Sequence, residues 1–308
     1  MKILFFTGKG GVGKSTTAAA SAWQLSQKAR VLIVSLDPAH NLGDIFGVTI
    51  KDKKKKFSET LFLSEVNLQK LSREYLEREA SVLSNTYSYL KTLNLDTYFS
   101  ILKYSPGIEE YALLTSIEKT IRHETDFEYI IFDTPPTGLT LRFLALPKVT
   151  ITWINRLIGI RRKILEKRYT IHRIRGTLSS EETVLDYKEE DDDILKRLWE
   201  LSDNYQSLDR TLCGNDCHIV LVFNPDILSL RESQRLIEGL ADLGLPLRLL
   251  INNKVTADNE EMATYVDQQM KGMTKNVTLE RIGMAKTLLD GRNGALYDIR
   301  ESIIPDSW

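Results

Sequence analysis

The sequence predicts an α/β protein with a mostly parallel sheet flanked by helices and an inserted helical subdomain. Short runs rich in β-forming residues alternate with longer helical stretches, and the first run enters a glycine-rich turn. Two stretches with helical patterns contain few strand signals, which marks them as candidate insertions. The predicted strands are residues 3–7, 31–35, 129–133, 219–223 and 247–251.

Helical signals follow the strands. Residues 15–27 are rich in Ala and Ser and contain no Gly or Pro, which predicts a helix directly after the glycine-rich turn. Ser229 and Glu232 have the spacing of a capping box. The predicted insertions lie at about 70–120 and 150–210, and because no Gly/Ser-rich linker separates them from the rest, we expect residues 1–308 to form a single domain.

Composition and charge narrow the class of protein. The 41 basic and 42 acidic residues nearly cancel, so the chain lacks the cationic excess typical of nucleic-acid binders and no such partner is expected. We find no uninterrupted apolar run long enough to span a bilayer, and the apolar start at residues 3–6 is too short for a signal peptide. Two cysteines, Cys213 and Cys217, suit a reducing compartment. These observations predict a cytoplasmic protein.

A phosphate-binding motif follows the first predicted strand. Residues 8–15 read GKGGVGKS and match G-x-x-x-x-G-K-[ST] in full, between a strand and a helix as the motif requires. Glycines let the backbone aim its N–H groups at phosphate oxygens, the lysine reaches the β- and γ-phosphates, and the serine hydroxyl enters the Mg²⁺ shell. We therefore expect ATP and Mg²⁺ to bind at Gly8, Gly10, Gly11, Val12, Gly13, Lys14, Ser15 and Thr16.

An acidic residue ends a later apolar strand. Asp133 closes the run YIIFD. Because the carboxyl ends of parallel strands meet at one edge of a sheet, its carboxylate should lie beside the phosphates and hold Mg²⁺ through water, together with the Ser15 hydroxyl. A helix cap or turn role is the alternative interpretation.

Further motifs resemble those of the ArsA family, which includes arsenite-pump ATPases and cytosolic ATPases that target tail-anchored membrane proteins. Lys9 is a second lysine in the loop, as in the deviant Walker A sequence of the MinD/ParA/ArsA class. Residues 37–44 (DPAHNLGD) and 133–142 (DTPPTGLTLR) are similar to the family's switch I and switch II. The resemblance covers most of the chain up to about Val255.

The resemblance implies roles for individual residues. It makes Lys9 the lysine that reaches across a homodimer to the partner's nucleotide, where it would act as an arginine finger does elsewhere. Asp37 matches the acid that orients the attacking water, and Asn41 matches a sensor of the γ-phosphate. Lys14 completes the catalytic set. Asn252 matches the family's adenine-contacting asparagine, and a turn residue at a strand end is the alternative.

Cysteine positions depart from the family pattern. The targeting ATPases carry a Cys-x-x-Cys pair after the strand with the adenine-contacting asparagine, which builds a shared zinc site, and the arsenite ATPases bind the metalloid through cysteines near switch II. This chain has cysteines at neither place. Cys213 and Cys217 have a spacing that is unusual for zinc, so we interpret them as small residues near the start of a strand rather than metal ligands.

The resemblance also implies a protein client. Helices after the switches form an apolar groove for a transmembrane segment in the targeting ATPases, and packing within the subdomain is the alternative use of such side chains. Cations from Arg156 to Arg168 could contact anionic lipid, which would give a peripheral membrane contact, or form a solvated helix face. The candidate apolar positions are Ile151, Trp153, Ile154, Leu157, Ile158, Leu83, Tyr87 and Leu90.

Taken as a whole, the sequence predicts Mg²⁺-dependent ATP hydrolysis by a homodimer, coupled through switch loops to binding or delivery of a client. The chain has one phosphate loop, so pairing must occur between two chains. Two alternatives stay open: a ParA/MinD-like positioning ATPase on a membrane or DNA surface, and a nucleotide-gated binding module with negligible turnover. The motif DPAHN favours the first interpretation over the positioning ATPase.

Overall fold

A computed structural model describes residues 1–38, 41–50, 54–86, 105–175 and 187–284. Within these residues, the strands are β1 (Lys2–Thr7), β2 (Val31–Ser35), β3 (Lys55–Lys56), β4 (Leu61–Glu65), β5 (Tyr129–Asp133), β6 (Cys217–Phe223), β7 (Leu247–Val255) and β8 (Thr278–Gly283). They form one sheet in the order β3-β4-β2-β5-β1-β6-β7-β8. Every neighbouring pair is parallel except β3 with β4. The predicted α/β class with a mostly parallel sheet is confirmed.

Helices connect and flank the strands. The predicted helix at 15–27 is present one residue earlier, and a short 3₁₀ helix (Ala257–Asn259) precedes the last long helix. The helices are α1 (Lys14–Ser26), α2 (Asn41–Phe46), α3 (Leu68–Thr86), α4 (Ile108–His123), α5 (Thr137–Arg175), α6 (Asp193–Leu212), α7 (Ile227–Asp242) and α8 (Glu260–Met273).

The central strands are apolar because parallel strands covered on both faces bury nearly every side chain. Phe5 of β1 and Phe132 of β5 are fully buried, and their rings stack with centroids 4.9 Å apart. The strand register places Asp133 opposite both Phe6 of β1 and Ser35 of β2. This alignment brings the segments that follow β1, β2 and β5 to the same edge of the sheet.

The described residues divide into two compact units. The first unit takes those up to Leu144 and those from Cys213 on, and the second unit is Ala145–Leu212. The described part of the predicted insertion at 70–120, with α3 and α4, belongs to the first unit. The predicted insertion at 150–210 falls in the second unit. A single domain with two insertions stays a prediction.

The second unit has a small apolar core of its own. One face of α5 packs against α6 there, and the members of this core are Ile154, Ile158, Leu165 and Leu195, with Leu198, Trp199 and Tyr205 around them. Arg161 of α5 also pairs with Asp192, the residue before α6, at 2.5 Å. The unit is thus held together by an apolar helix face and a charged contact.

The helix α5 is unusually apolar at its start. By length and composition, its segment Thr137–Arg173 is long and apolar enough to cross a membrane, although it contains no uninterrupted apolar run of that length. Core helices of soluble proteins pass the same test. Phe143 and Leu144 are buried in the first unit, so packing accounts for part of this apolar character.

Candidate nucleotide-binding site

The predicted phosphate loop joins β1 to α1. Gly8 is buried with φ 148°, and a Cβ added there would lie 2.0 Å from the carbonyl oxygen of Val222. Gly13 has φ 96°, and a Cβ there would lie 2.4 Å from Nδ2 of Asn253. Both backbone angles favour glycine, and both positions lack space for a side chain, so the loop requires glycine at each.

The tip of the loop is open. A Cβ added at Gly10 or Gly11 would meet no described atom within 4 Å beyond the adjacent residues. Lys9 beside them is half-buried, and its carbonyl oxygen accepts a long hydrogen bond of 3.5 Å from the Val12 N–H. The tip is therefore accessible to a second molecule.

The N-terminus of α1 begins directly after the loop and has no side-chain cap. Its N-cap residue is Gly13, and its first turn contains no acidic residue. Free N–H groups and the positive end of the helix dipole therefore favour an anion. Lys14 is buried, with 5% of the residue exposed, and its ammonium group is close enough to Asp133 to lower the pKa of that carboxyl. A phosphate group supplies the negative charge and the acceptor oxygens that these groups need.

Asp133 lies at the end of β5 with its side chain fully buried. Neither carboxylate oxygen makes a hydrogen bond of standard geometry to any residue that the structure describes. Buried polar atoms are normally paired, and an unpaired carboxylate beside a phosphate-binding loop suggests a missing partner. Oxygen atoms of carboxylate, hydroxyl and water are the ligands that Mg²⁺ prefers, so Asp133 and Ser15 fit this ion.

The pKa of Asp133 reports which groups surround it. This pKa is raised to about 6, mainly by burial and to a smaller extent by the nearby charge of Asp37. The Ser15 hydroxyl and the Lys14 ammonium act in the opposite direction, because both favour the charged carboxylate. The predicted residues Lys14, Ser15, Asp37 and Asp133 therefore lie within electrostatic reach of one another.

Switch I begins where β2 ends. The N–H of Leu36 donates a hydrogen bond of 2.8 Å to the carbonyl oxygen of Asp133, which ties the start of this segment to β5. Asp37, the next residue, is half-buried. Asn41 is the first residue of α2, and its side chain lies outside the described part of the structure, as do residues 39–40. The γ-phosphate role of Asn41 stays a prediction.

Switch II is held by threonine hydroxyl groups. The Thr134 hydroxyl donates to the Phe6 carbonyl oxygen at 2.9 Å, and the Thr140 hydroxyl donates to the Pro135 carbonyl oxygen at 2.7 Å. The Thr137 hydroxyl donates to the carboxylate of Glu232 on α7. The segment between Asp133 and α5 is thus fixed to β1 at one end and to α7 at the other.

The Asn252 side chain is already hydrogen-bonded within the protein. It is fully buried on β7, and its Nδ2 donates to Oδ1 of Asp267 at 2.7 Å. Its Oδ1 has no hydrogen-bond partner among the described residues. The amide nitrogen is already engaged, so only the oxygen could accept from an adenine amino group, and the adenine contact stays a prediction.

Two residues that the sequence analysis missed contact the loop from β7. Asn253 donates to the carbonyl oxygen of Val12, and Lys254 donates to the carbonyl oxygen of Gly11. No local pattern in the sequence marks them, because their partners lie more than 240 residues away. The last predicted member of the site, Thr16, is half-buried in the first turn of α1.

The cysteines lie away from these residues in sequence. Burial raises the pKa of the Cys217 thiol to about 12, with the neighbouring Cys213 as a smaller cause. Zinc and arsenic bind the deprotonated thiolate, which this environment disfavours. No group of three or more His, Cys, Asp and Glu side chains that could hold a metal ion occurs among the described residues.

Comparison with known proteins identifies the family. The family model described as anion-transporting ATPase, ArsA type, matches residues 1–283. This chain belongs to the ArsA ATPase family. The predicted resemblance to the ArsA family is confirmed, and the chain is accordingly an ATPase.

Named relatives of this ArsA-family ATPase fall into two groups. It is 31% identical over 263 residues to the putative arsenical pump-driving ATPase 2 of Aquifex aeolicus, which covers 85% of this chain and 82% of the relative. It is 30% identical over 260 residues to the ATPase get3 of Schizosaccharomyces pombe, with 84% and 74% covered. The ATPase ASNA1 homolog of Dictyostelium discoideum is 28% identical over 268 residues, with 83% and 72% covered.

Proposed function

We propose that this ArsA-family ATPase hydrolyses ATP with Mg²⁺ as a cytoplasmic homodimer, and that the cycle controls the binding of an apolar protein client. The observation that supports the catalytic part is the convergence on Asp133. Lys14 and Ser15 from the loop and Asp37 from switch I all influence the pKa of this one buried carboxylate. Catalytic sites commonly gather ionisable groups from separate segments in this way.

The loop and β5 hold the nucleotide in this proposal. The N–H of Gly13 and the first N–H groups of α1 bind phosphate oxygens, and Lys14 neutralises their charge. The Ser15 hydroxyl and the Asp133 carboxylate would hold Mg²⁺, with Asp133 acting through water. When bound, Mg²⁺ supplies charge neutralisation on the β- and γ-phosphate oxygens.

Switch I and the second subunit complete the reaction. Asp37 positions and polarises the attacking water, which a carboxylate can do without becoming fully protonated. Lys9 of the partner subunit brings a positive charge to the transferred phosphoryl group only when the dimer closes. The open tip around Gly10 and Gly11 supports this arrangement, since a partner could approach there.

The proposed client surface is an apolar stripe on α5 in the second unit. Exposure within it ranges from 39% at Ile164 to 65% at Trp153. Successive members are three or four residues apart, which places them on one face of the helix. The predicted apolar positions thus divide: Trp153 is exposed, whereas Ile154 packs inside the unit. The members of the apolar stripe are Val149, Trp153, Leu157, Ile160 and Ile164.

The proposed occupant of the stripe is the apolar helix of a membrane-protein client. A contiguous apolar patch of this kind marks a binding surface, because burying it against an apolar partner is favourable in water. Of the other predicted positions, Ile151 is half-buried, and the side chains of Leu83, Tyr87 and Leu90 lie outside the described part of the chain. Metalloid binding is not proposed, because neither cysteine lies near switch II in the sequence and Cys217 is buried.

The catalytic part is tested by ATP turnover and ATP binding in parallel. The wild type should hydrolyse ATP only with Mg²⁺, whereas Asp37→Asn should bind ATP normally and lose about a hundredfold or more in kcat. Lys14→Ala should lose binding as well as turnover. Background rates in the wild type and Asp37→Asn alike would contradict hydrolysis and support the nucleotide-gated binding module.

The client part is tested with two probes. A labelled hydrophobic transmembrane peptide should bind the ATP-loaded Asp37→Asn protein, and vesicles containing anionic lipid should bind more weakly or not at all. Nucleotide-dependent binding to vesicles without peptide binding would instead support a ParA/MinD-like positioning ATPase.

A further inference from the structure

The end of β7 has an irregular backbone. The register between β7 and β8 shifts between Asn252 and Val255. Lys254 has φ 62°, a left-handed conformation that residues other than glycine rarely adopt. Nδ2 of Asn259 donates to the Lys254 carbonyl oxygen at 3.0 Å, and the Thr256 N–H donates to Oδ1 of Asn259 at 2.8 Å. The left-handed turn is therefore stabilised by its own hydrogen bonds, and strain of this type is often found at functional sites.

The turn directs two successive side chains to one target. In a regular strand, neighbouring side chains point to opposite faces of the sheet. Here Nδ2 of Asn253 donates to the carbonyl oxygen of Val12 at 2.8 Å, and Nζ of Lys254 donates to the carbonyl oxygen of Gly11 at 2.6 Å. Both can reach the phosphate loop because Lys254 departs from strand geometry. We call this pair of contacts the β7 clamp.

The β7 clamp acts on the peptide groups that bind phosphate. In a trans peptide, the C=O and N–H bonds point in opposite directions. Holding the Val12 carbonyl oxygen on the side of Asn253 therefore turns the Gly13 N–H away from Asn253. Holding the Gly11 carbonyl oxygen turns the Val12 N–H away from Lys254 in the same way, and among the described residues this N–H makes only the long hydrogen bond of 3.5 Å to the Lys9 carbonyl oxygen. The clamp thus fixes the directions of two consecutive loop donors.

We propose that Asn253 and Lys254 are positioning residues for phosphate binding, acting through the carbonyl groups of Val12 and Gly11. The close approach at Gly13, where a Cβ would lie 2.4 Å from Nδ2 of Asn253, supports a tight fit between the clamp and the loop. The inference rests on the proposed function only in that a triphosphate binds this loop. It adds a contribution from β7 to the loop.

Calorimetric titration with ATP, ADP and AMP tests the clamp. Asn253→Ala and Lys254→Ala should each weaken ATP and ADP binding by about fivefold, the usual worth of one hydrogen bond. AMP keeps only the α-phosphate, so it makes fewer contacts with the loop and its affinity should change by less than about twofold. Lys254→Arg keeps a cationic donor and should restore most of the loss. Asn215→Ala and Lys275→Ala, at exposed positions, are the matched controls.

The possible results distinguish an error in the inference about the β7 clamp from an error in the proposed nucleotide site. Equal losses for AMP and ATP in the clamp variants would show a general folding defect or a base contact and would overturn the inference, as would unchanged ATP affinity. If the wild type itself failed to bind ATP, the nucleotide site would be wrong rather than the clamp. The melting temperature without nucleotide, which should stay close to wild type in both variants, checks that the loop remains folded.

Discussion

Arg161 binds both carboxylate oxygens of Asp192, with Nε 3.0 Å from Oδ1 and 3.2 Å from Oδ2. Oδ1 of Asp192 also accepts the N–H of Leu195 at 2.8 Å, so the same carboxylate caps the first turn of α6. Asp192 is 3% exposed. Asp192, which caps the N-terminus of α6, is therefore tied to α5 by a bidentate ion pair with Arg161.

Asp192→Asn should destabilise the second unit by about 2–4 kcal/mol, because it leaves the partly buried Arg161 without a counter-charge. Hydrogen exchange of α6 amides should show the loss directly. The matched control is Asp193→Asn, since the Asp193 side chain is 97% exposed. Equal effects of the two variants would show that the ion pair contributes little.

The same ion pair predicts how the second unit responds to acid. The Arg161 guanidinium lowers the pKa of Asp192 in the folded state, against the smaller opposing effect of burial. A lowered pKa gives stability that is present above the unfolded value of about 3.9 and is lost as pH falls through the folded value. The stability difference between wild type and Asp192→Asn should therefore shrink in strong acid, measured by denaturation at several pH values. A constant difference would contradict this.

Asp133 should give a pH dependence of opposite sign. Its pKa is raised to about 6 in the folded state, so between about pH 4 and pH 6 the folded protein holds a proton that the unfolded chain releases. Stability without nucleotide should fall as pH rises through this window. Asp133→Asn should remove that slope and stabilise the protein at neutral pH by about 2–3 kcal/mol, while turnover is lost. Urea denaturation of both proteins across the window is the measurement, and parallel curves would rule out the raised pKa.

Catalysis by Lys9 from the partner can be tested by mixing two inactive variants. Lys9→Ala and Asp37→Asn should each bind ATP and hydrolyse it poorly. In a mixed dimer, the Lys9→Ala subunit keeps Asp37 and receives Lys9 from its partner, so one of two sites is complete. An equal mixture should regain about a quarter of wild-type turnover, since half of the dimers are mixed. No recovery on mixing, or full activity of Lys9→Ala alone, would contradict action across the dimer.

Substitutions at two neighbouring residues of α5 should have different effects on client binding and on stability. Trp153→Ser removes an exposed side chain of the apolar stripe, so it should change stability by less than about 0.5 kcal/mol yet weaken transmembrane-peptide binding severalfold. Ile154→Ser alters the small core against α6 and should cost about 2–4 kcal/mol. Thermal denaturation and peptide titration distinguish them. Peptide binding that survives Trp153→Ser would place the client elsewhere.

The strand, loop and helix around residues 8–15 could be predicted because their signals are local. The glycine spacing, the lysine and the following Ala-rich helix lie within about twenty residues of one another. Asp133 could be predicted for a related reason, since a parallel strand that ends in an acid presents it at a known edge of the sheet. The raised pKa of Asp133 could not be predicted, because it depends mainly on burial, which is known only from the folded structure.

Other features depended on distant partners. Asn253 and Lys254 reach the loop only because β7 ends in a left-handed turn, and no periodic pattern indicates that conformation. The family resemblance implies an adenine contact for Asn252. Its hydrogen bond to Asp267, however, depends on how α8 packs on β7. On α5, Trp153 and Ile154 are equally apolar in sequence, and the position of α6 decides which of them is covered.

The strand β3 is only two residues long, antiparallel to its neighbour, and composed of Lys55 and Lys56 at the border of the sheet. The backbone of another molecule could form only a few hydrogen bonds with this edge strand, and the two lysine side chains there disfavour its approach. This edge of the sheet therefore disfavours aggregation by strand pairing between molecules during synthesis or refolding.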